Sequence, residues 1–192
     1  MPTYTDDYGV AISFYVWPVD HPRAVVQIAH GVGEHARRYL ELAGVLNAAG
    51  YTVYADDHRG HGQTGVDQYG GDLSRLGRLG PGGMRAAVAG VRQLSGIIRS
   101  EHPDLPLVLL GHSWGSFMVQ MIINKHAGEC DAVVLSGTAY RWPGYLDSGD
   151  LNRRHKHLGT TGVEWLSRDP AVAAAFIADP LTTSTPLAKL FG

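Results

Sequence analysis

The sequence predicts an α/β protein: a mostly parallel sheet covered by helices on both faces. Three observations carry this. Apolar stretches of strand length alternate with stretches of helical periodicity. The strands are continuously apolar, as strands buried on both faces require. Finally, residues 107–115, Leu-Val-Leu-Leu-Gly-His-Ser-Trp-Gly, run a strand straight into a Gly-x-Ser-x-Gly turn with an apolar helix pattern behind it.

Residues 8–17 read as a first strand with partial alternation, and Ala24–Ala29 as a second, ending at His30-Gly31. Tyr39, Leu42, Ala43, Leu46 and Ala49 recur at helical spacing, and Gly50 stops that helix. Tyr51–Ala55 is the next strand, followed by the polar turn 56–62. Met84, Ala87, Val88, Val91, Leu94 and Ile98 form an amphipathic stripe, with Arg85, Arg92 and Arg99 on another face. Leu105–Leu110 leads to the serine turn, and Ala132–Ser136 is the last strand of the series. From Tyr140 the rhythm changes: Trp142, Tyr145, Trp165, Phe176 and Phe191 lie among polar, helix-prone residues. Asp169 and Pro170 read as N-cap and first position of an Ala-rich helix, closed by Asp179-Pro180. The expected division is a core over 1–138 and a helical lid over 139–192.

Composition excludes several classes. In 192 residues the net charge is −2 with mixed signs, which leaves no footprint for nucleic acid or an anionic membrane. The N-terminus lacks the basic and apolar regions of a signal peptide, and no apolar run approaches the ~20 residues of a membrane span. Cytoplasm is the expected compartment. The single Cys130 reads as a buried thiol at a strand start.

The chemistry centres on Ser113. A serine hydroxyl becomes a useful nucleophile on a sharp turn within reach of a base and of oxyanion donors. Gly111 and Gly115 suit a turn in which a Cβ would crowd helix against strand. One oxyanion donor is expected from the residue after the nucleophile and one from an earlier strand-to-helix loop, here 30–35. Glu34 and Arg38 fit either a salt-bridged pair at a helix start or contacts to substrate. His58, Arg59 and His61 read as a hydrogen-bonded turn, because no matching carboxylate or Cys set accompanies them as metal ligands. Gly31-Val32-Gly33-Glu34-His35-Ala36 also fits a dinucleotide-binding fingerprint, with Asp56 and Asp57 closing the next strand. Against it, Glu34 would set a carboxylate beside a pyrophosphate, and the serine turn would go unexplained.

Four blocks resemble the α/β-hydrolases of the monoacylglycerol lipase group, serine hydrolases with a helical cap. They are His30-Gly31-Val32-Gly33-Glu34-His35 with Arg38-Tyr39; Asp57 to Thr64; Gly111-His112-Ser113-Trp114-Gly115; and Leu166 to Leu181. The resemblance implies an α/β-hydrolase fold truncated inside its cap. It implies Ser113 as nucleophile, the N–H groups of Val32 and Trp114 as oxyanion hole, and Gly31, Glu34 and Arg38 at the substrate. No cofactor or metal is implied. The substrate would be a single-chain lipid ester such as a monoacylglycerol, with transient contact between the lid and a membrane surface. In this family the acid and histidine follow the lid. The pairs Asp147/Asp150 and His155/His157 have that order but read as a charged lid face, so neither role is assigned. The triad Asp and His, with further strands covering Ala132–Ser136, are expected on a C-terminal part, as a second polypeptide or beyond residue 192. Two other functions stand beside ester hydrolysis: a non-catalytic remnant or binding module, and the dinucleotide-binding oxidoreductase.

Overall fold

The computed structural model describes residues 1–140 and 149–184, so Trp142, Tyr145, Asp147 and Phe191 lie outside the described residues. Six strands, β1 (Thr3–Thr5), β2 (Ala11–Trp17), β3 (Ala24–Ala29), β4 (Tyr51–Asp56), β5 (Leu107–His112) and β6 (Ala132–Ser136), make one sheet. Their order is β1-β2-β4-β3-β5-β6. The four strands from β4 to β6 run parallel, while β1 and β2 form an antiparallel flank. The expected fold class is therefore the one found.

Period-two alternation in β3 splits the core. Val26 and Ile28 pack with Val53, Ala55 and Ala43 under helix α1 (Leu40–Ala48). Ala29 and Leu109 pack on the opposite face with Val91 of α3 (Gly83–Glu101) and Met118 of α4 (Trp114–His126). Gln27, the one polar residue of β3, is satisfied there. Its amide donates to Val91 O (2.7 Å) and accepts from Ser95 Oγ (2.7 Å).

Several boundaries differ from the sequence reading. The first strand starts at Ala11 because Asp6 folds residues 6–10 into a turn, its Oδ1 accepting the N–H groups of Tyr8 and Val10. Short β1 and helix α2 (Gly62–Gln68) had no readable signal. Helix α2 holds because Thr64 Oγ1 accepts Ser13 N–H (2.9 Å) and Asp57 accepts Gln63 N–H (2.7 Å), contacts that local periodicity does not encode. Cys130 is half-buried, not fully buried.

After β6 the described residues contain short 3-10 turns and one helix, α5 (Pro170–Ala178), capped by Asp169 as expected. Val163, Ala173 and Phe176 form a small core there. No helix among the described residues is long and apolar enough to cross a membrane.

Candidate active site

The turn between β5 and α4 is built by close approach. Ser113 stands at φ 50°, ψ −118°, a backbone conformation that L-residues rarely adopt and that costs about 1–3 kcal/mol. A Cβ on Gly111 would lie 2.7 Å from Gly115 O and Ser116 Cα, and one on Gly115 would collide with the carbonyls of Ala29 and His30. Glycine is required at both positions because the start of α4 presses on the end of β3. Ser113 N–H donates to Ser136 O (2.8 Å), tying the turn to the end of β6.

The loop 30–35 folds over this turn. A Cβ on Gly31 would lie 3.3 Å from Ser113 Cβ and 3.4 Å from His112 Cδ2. Glu34 braces the loop, its Oε1 accepting from Gly31 N–H and from the Tyr39 hydroxyl, each at 2.7 Å. Burial and the Glu34 charge push the Tyr39 hydroxyl well above its ordinary pKa, so it stays a donor. Arg38 Nε lies 3.5 Å from Glu34 Oε2, which makes the pair an ion pair, and its guanidinium covers the Phe176 ring at 5.1 Å. Trp114 is the first residue of α4, so its N–H has no acceptor within the helix. Among the described residues, neither Trp114 N–H nor Val32 N–H has a backbone acceptor. The two N–H groups thus belong to segments that meet at Ser113.

Behind Trp114 sits a buried imidazole cluster. His58 N–H donates to His30 Nε2 (3.0 Å), which places the His30 proton on Nδ1, facing Gly31 O at 2.7 Å. His58 pairs through Nδ1 with Asp56 (3.0 Å), and His61 Nδ1 meets Arg59 O (2.9 Å). The His30 and His58 rings stack at 3.9 Å, and His61 stacks on Trp114 at 5.2 Å. Burial holds His30 well below its ordinary pKa and His61 at about 4, so both are neutral at pH 7. The block is the hydrogen-bonded turn the sequence predicts.

The same geometry overturns the dinucleotide reading. Gly31 N–H is taken by Glu34, and Asp56 is paired with His58. Asp57 is buried, accepting from Ala36 N–H (2.8 Å), Gln63 N–H (2.7 Å) and the Tyr15 hydroxyl (3.2 Å). Neither carboxylate is open to a ribose.

Among the described residues no side chain hydrogen-bonds to Ser113 Oγ. Asp150 caps the turn 151–154 and pairs with Lys156 at 2.8 Å, consistent with a charged surface. Sequence reasoning missed Tyr39, Asp57 and the contact of His35 Nε2 with Asp179 Oδ2 (2.8 Å). All three lie inside or beside the four blocks, which was the available signal.

Residues 20–192 match the family described as serine aminopeptidase, S33. A monoacylglycerol lipase from Mycolicibacterium smegmatis is 40% identical over 184 residues, which cover 90% of this chain and 61% of the relative. Human monoglyceride lipase is 29% identical over 190 residues, covering 93% and 58%. A thermostable carboxyl esterase from Bacillus coagulans, solved in complex with glycerol, superposes with a TM-score of 0.82 at 29% identity. That superposition covers 96% of this chain and 66% of the esterase. The chain thus spans about three-fifths of the curated relatives it matches. Each relative carries the matched stretch within one longer chain, which gives no support to a separate second polypeptide.

Proposed function

The chain belongs to the hydrolase family described as serine aminopeptidase, S33, and to its monoacylglycerol lipase group, and from that premise we propose that it carries the nucleophile of an ester hydrolase. The observation that carries this reading is the positive-φ Ser113 held against the loop 31–35 by glycines that admit no Cβ. Ser113 Oγ adds to the ester carbonyl while a base takes its proton. The carbonyl oxygen becomes an oxyanion held by Val32 N–H and Trp114 N–H, donors fixed before charge develops. Collapse breaks the ester C–O bond as the base returns its proton to the leaving oxygen, releasing the neutral alcohol and leaving an acyl-Ser113, which water then cleaves to the acid and free serine. The acid and histidine that complete the triad belong to the part of the whole protein corresponding to the remainder of its relatives.

Residues 139–192 act as a cap. Phe176 brings the small apolar core of Val163, Ala173 and Phe176 against the Arg38 guanidinium, and so beside the Glu34–Arg38 pair, where the family resemblance sets the alcohol side of the substrate. That pairing supports a single acyl chain on a small polar alcohol, a monoacylglycerol or a close analogue, held at a transient membrane-surface contact.

In the complete enzyme, a fluorophosphonate should label Ser113, and Ser113→Ala should abolish labelling and lower kcat by on the order of 10⁶. Across monoacylglycerols of increasing length kcat/KM should rise until the cap is filled, since each buried methylene is worth up to ~0.8 kcal/mol. Equal turnover by the Ala variant would end the serine-hydrolase reading, whereas absence of turnover and labelling in the complete wild-type protein would leave the non-catalytic reading in its place.

A further inference from the structure

The end of α5 grips the oxyanion loop at three points. Asp179 Oδ2 meets His35 Nε2 at 2.8 Å, with His35 only 4% exposed. Thr183 N–H donates to Gly33 O at 2.9 Å, an approach so close that a Cβ on Gly33 would collide with Thr183 O. Phe176 lies under the Arg38 guanidinium, and Arg38 pairs with the Glu34 that holds Gly31 N–H. These contacts flank Val32 on both sides. Asp179 is itself fixed: its Oδ1 accepts Leu181 N–H at 2.9 Å, and its backbone N–H caps α5 through Ala175 O.

Next to the loop, Ala36 N–H is anchored from the sheet side by Asp57 at 2.8 Å. The loop is therefore clamped between two carboxylates, one from the body and one from the α5 segment, 122 residues apart in sequence. His35 Nδ1 is buried without a partner among the described residues. A single proton, on Nε2 and directed at Asp179, satisfies the ring best, since a second would bury an unpartnered N–H.

We propose that Asp179 is a positioning residue for the oxyanion hole: through His35 it sets the height of the loop that presents Val32 N–H to the reacting carbonyl. The α5 segment then contributes to the chemical step itself, as well as to acyl-chain binding. This rests on the reading of Ser113 and Val32 above. A loop that sags by about 1 Å loses on the order of 10²-fold in rate, because the oxyanion donor no longer meets the developing charge.

The two contributions separate on a substrate with no chain to bind. In the complete enzyme, Asp179→Ala should lower kcat on p-nitrophenyl acetate by ~10- to 100-fold with little change in KM, and Asp179→Asn, whose amide oxygen can still accept the His35 Nε2–H, should lose less. Fluorophosphonate labelling of Ser113 should slow in parallel. His35→Gln, whose amide can still donate to Asp179, should keep more of kcat than His35→Ala. Wild-type kcat on the acetate in both Asp179 variants, with only long-chain KM raised, would overturn the proposal and leave Asp179 as a cap-binding residue. A wild-type rate in Ser113→Ala would instead overturn the functional reading beneath it.

Discussion

The nucleophile position trades stability for geometry. Ser113 holds φ 50° because the strand on one side and α4 on the other leave no other path, and that conformation is one glycine adopts without strain. Ser113→Gly should therefore melt higher than Ser113→Ala, by roughly 1–2 kcal/mol of stability. For a chain of this size that is a difference of about 2–8 °C in Tm by calorimetry. Equal melting temperatures would mean that the turn is relaxed. The glycines at 111 and 115 were legible in the sequence as tight-turn residues. What they avoid, the carbonyls of Ala29 and His30 at the end of another strand, was not.

Among the elements, the short antiparallel flank shows how burial decides what an ion pair is worth. Arg59 is fully buried and pairs with Asp6, while also donating to Leu79 O (2.9 Å) and Pro81 O (2.9 Å). Asp6 in turn shapes the turn between β1 and β2. Removing Asp6 leaves an uncompensated buried guanidinium, so Asp6→Ala should cost about 3–5 kcal/mol. The pair Arg92–Glu129 also has good geometry, but about a third of each side chain is exposed. Arg92→Ala should cost below ~1 kcal/mol. Denaturant titration of the two variants checks the ranking, and comparable losses would contradict it. Helices α1, α3 and α4 were readable from their own apolar periodicity, whereas α2, Gly-Gln-Thr-Gly-Val-Asp-Gln, was not. It carries two glycines and no apolar stripe, and it stays helical because Asp57 and Ser13 tie its first turn to the sheet.

At the scale of the whole molecule, the buried imidazoles set its response to acid. Burial holds His61 at about 4 and lowers His30 as well, whereas both return to about 6.5 in the unfolded chain. Between those values the unfolded state binds more protons, so stability is complete above about pH 6.5 and falls as pH drops toward 4. His61 alone accounts for about 3 kcal/mol of that loss. Burial raises the pKa of Asp57, which opposes the trend, so the clean comparison is with a variant. His61→Asn, which keeps a donor for Arg59 O, should show a shallower fall of Tm from pH 6.5 to 4, and superimposable profiles would refute this. The sequence by itself determined the α/β alternation, β3 and β6 to the residue, the N-cap of α5 and the serine turn, because each is written in local periodicity or in adjacent residues. Only the tertiary structure decided what surrounds Ser113: Glu34 on Gly31 N–H, Asp57 on Ala36 N–H, and Asp179 on His35. The last two contacts join residues 21 and 144 apart. A hydrogen bond of that kind depends on where two distant backbones meet, and no periodicity along one segment records it.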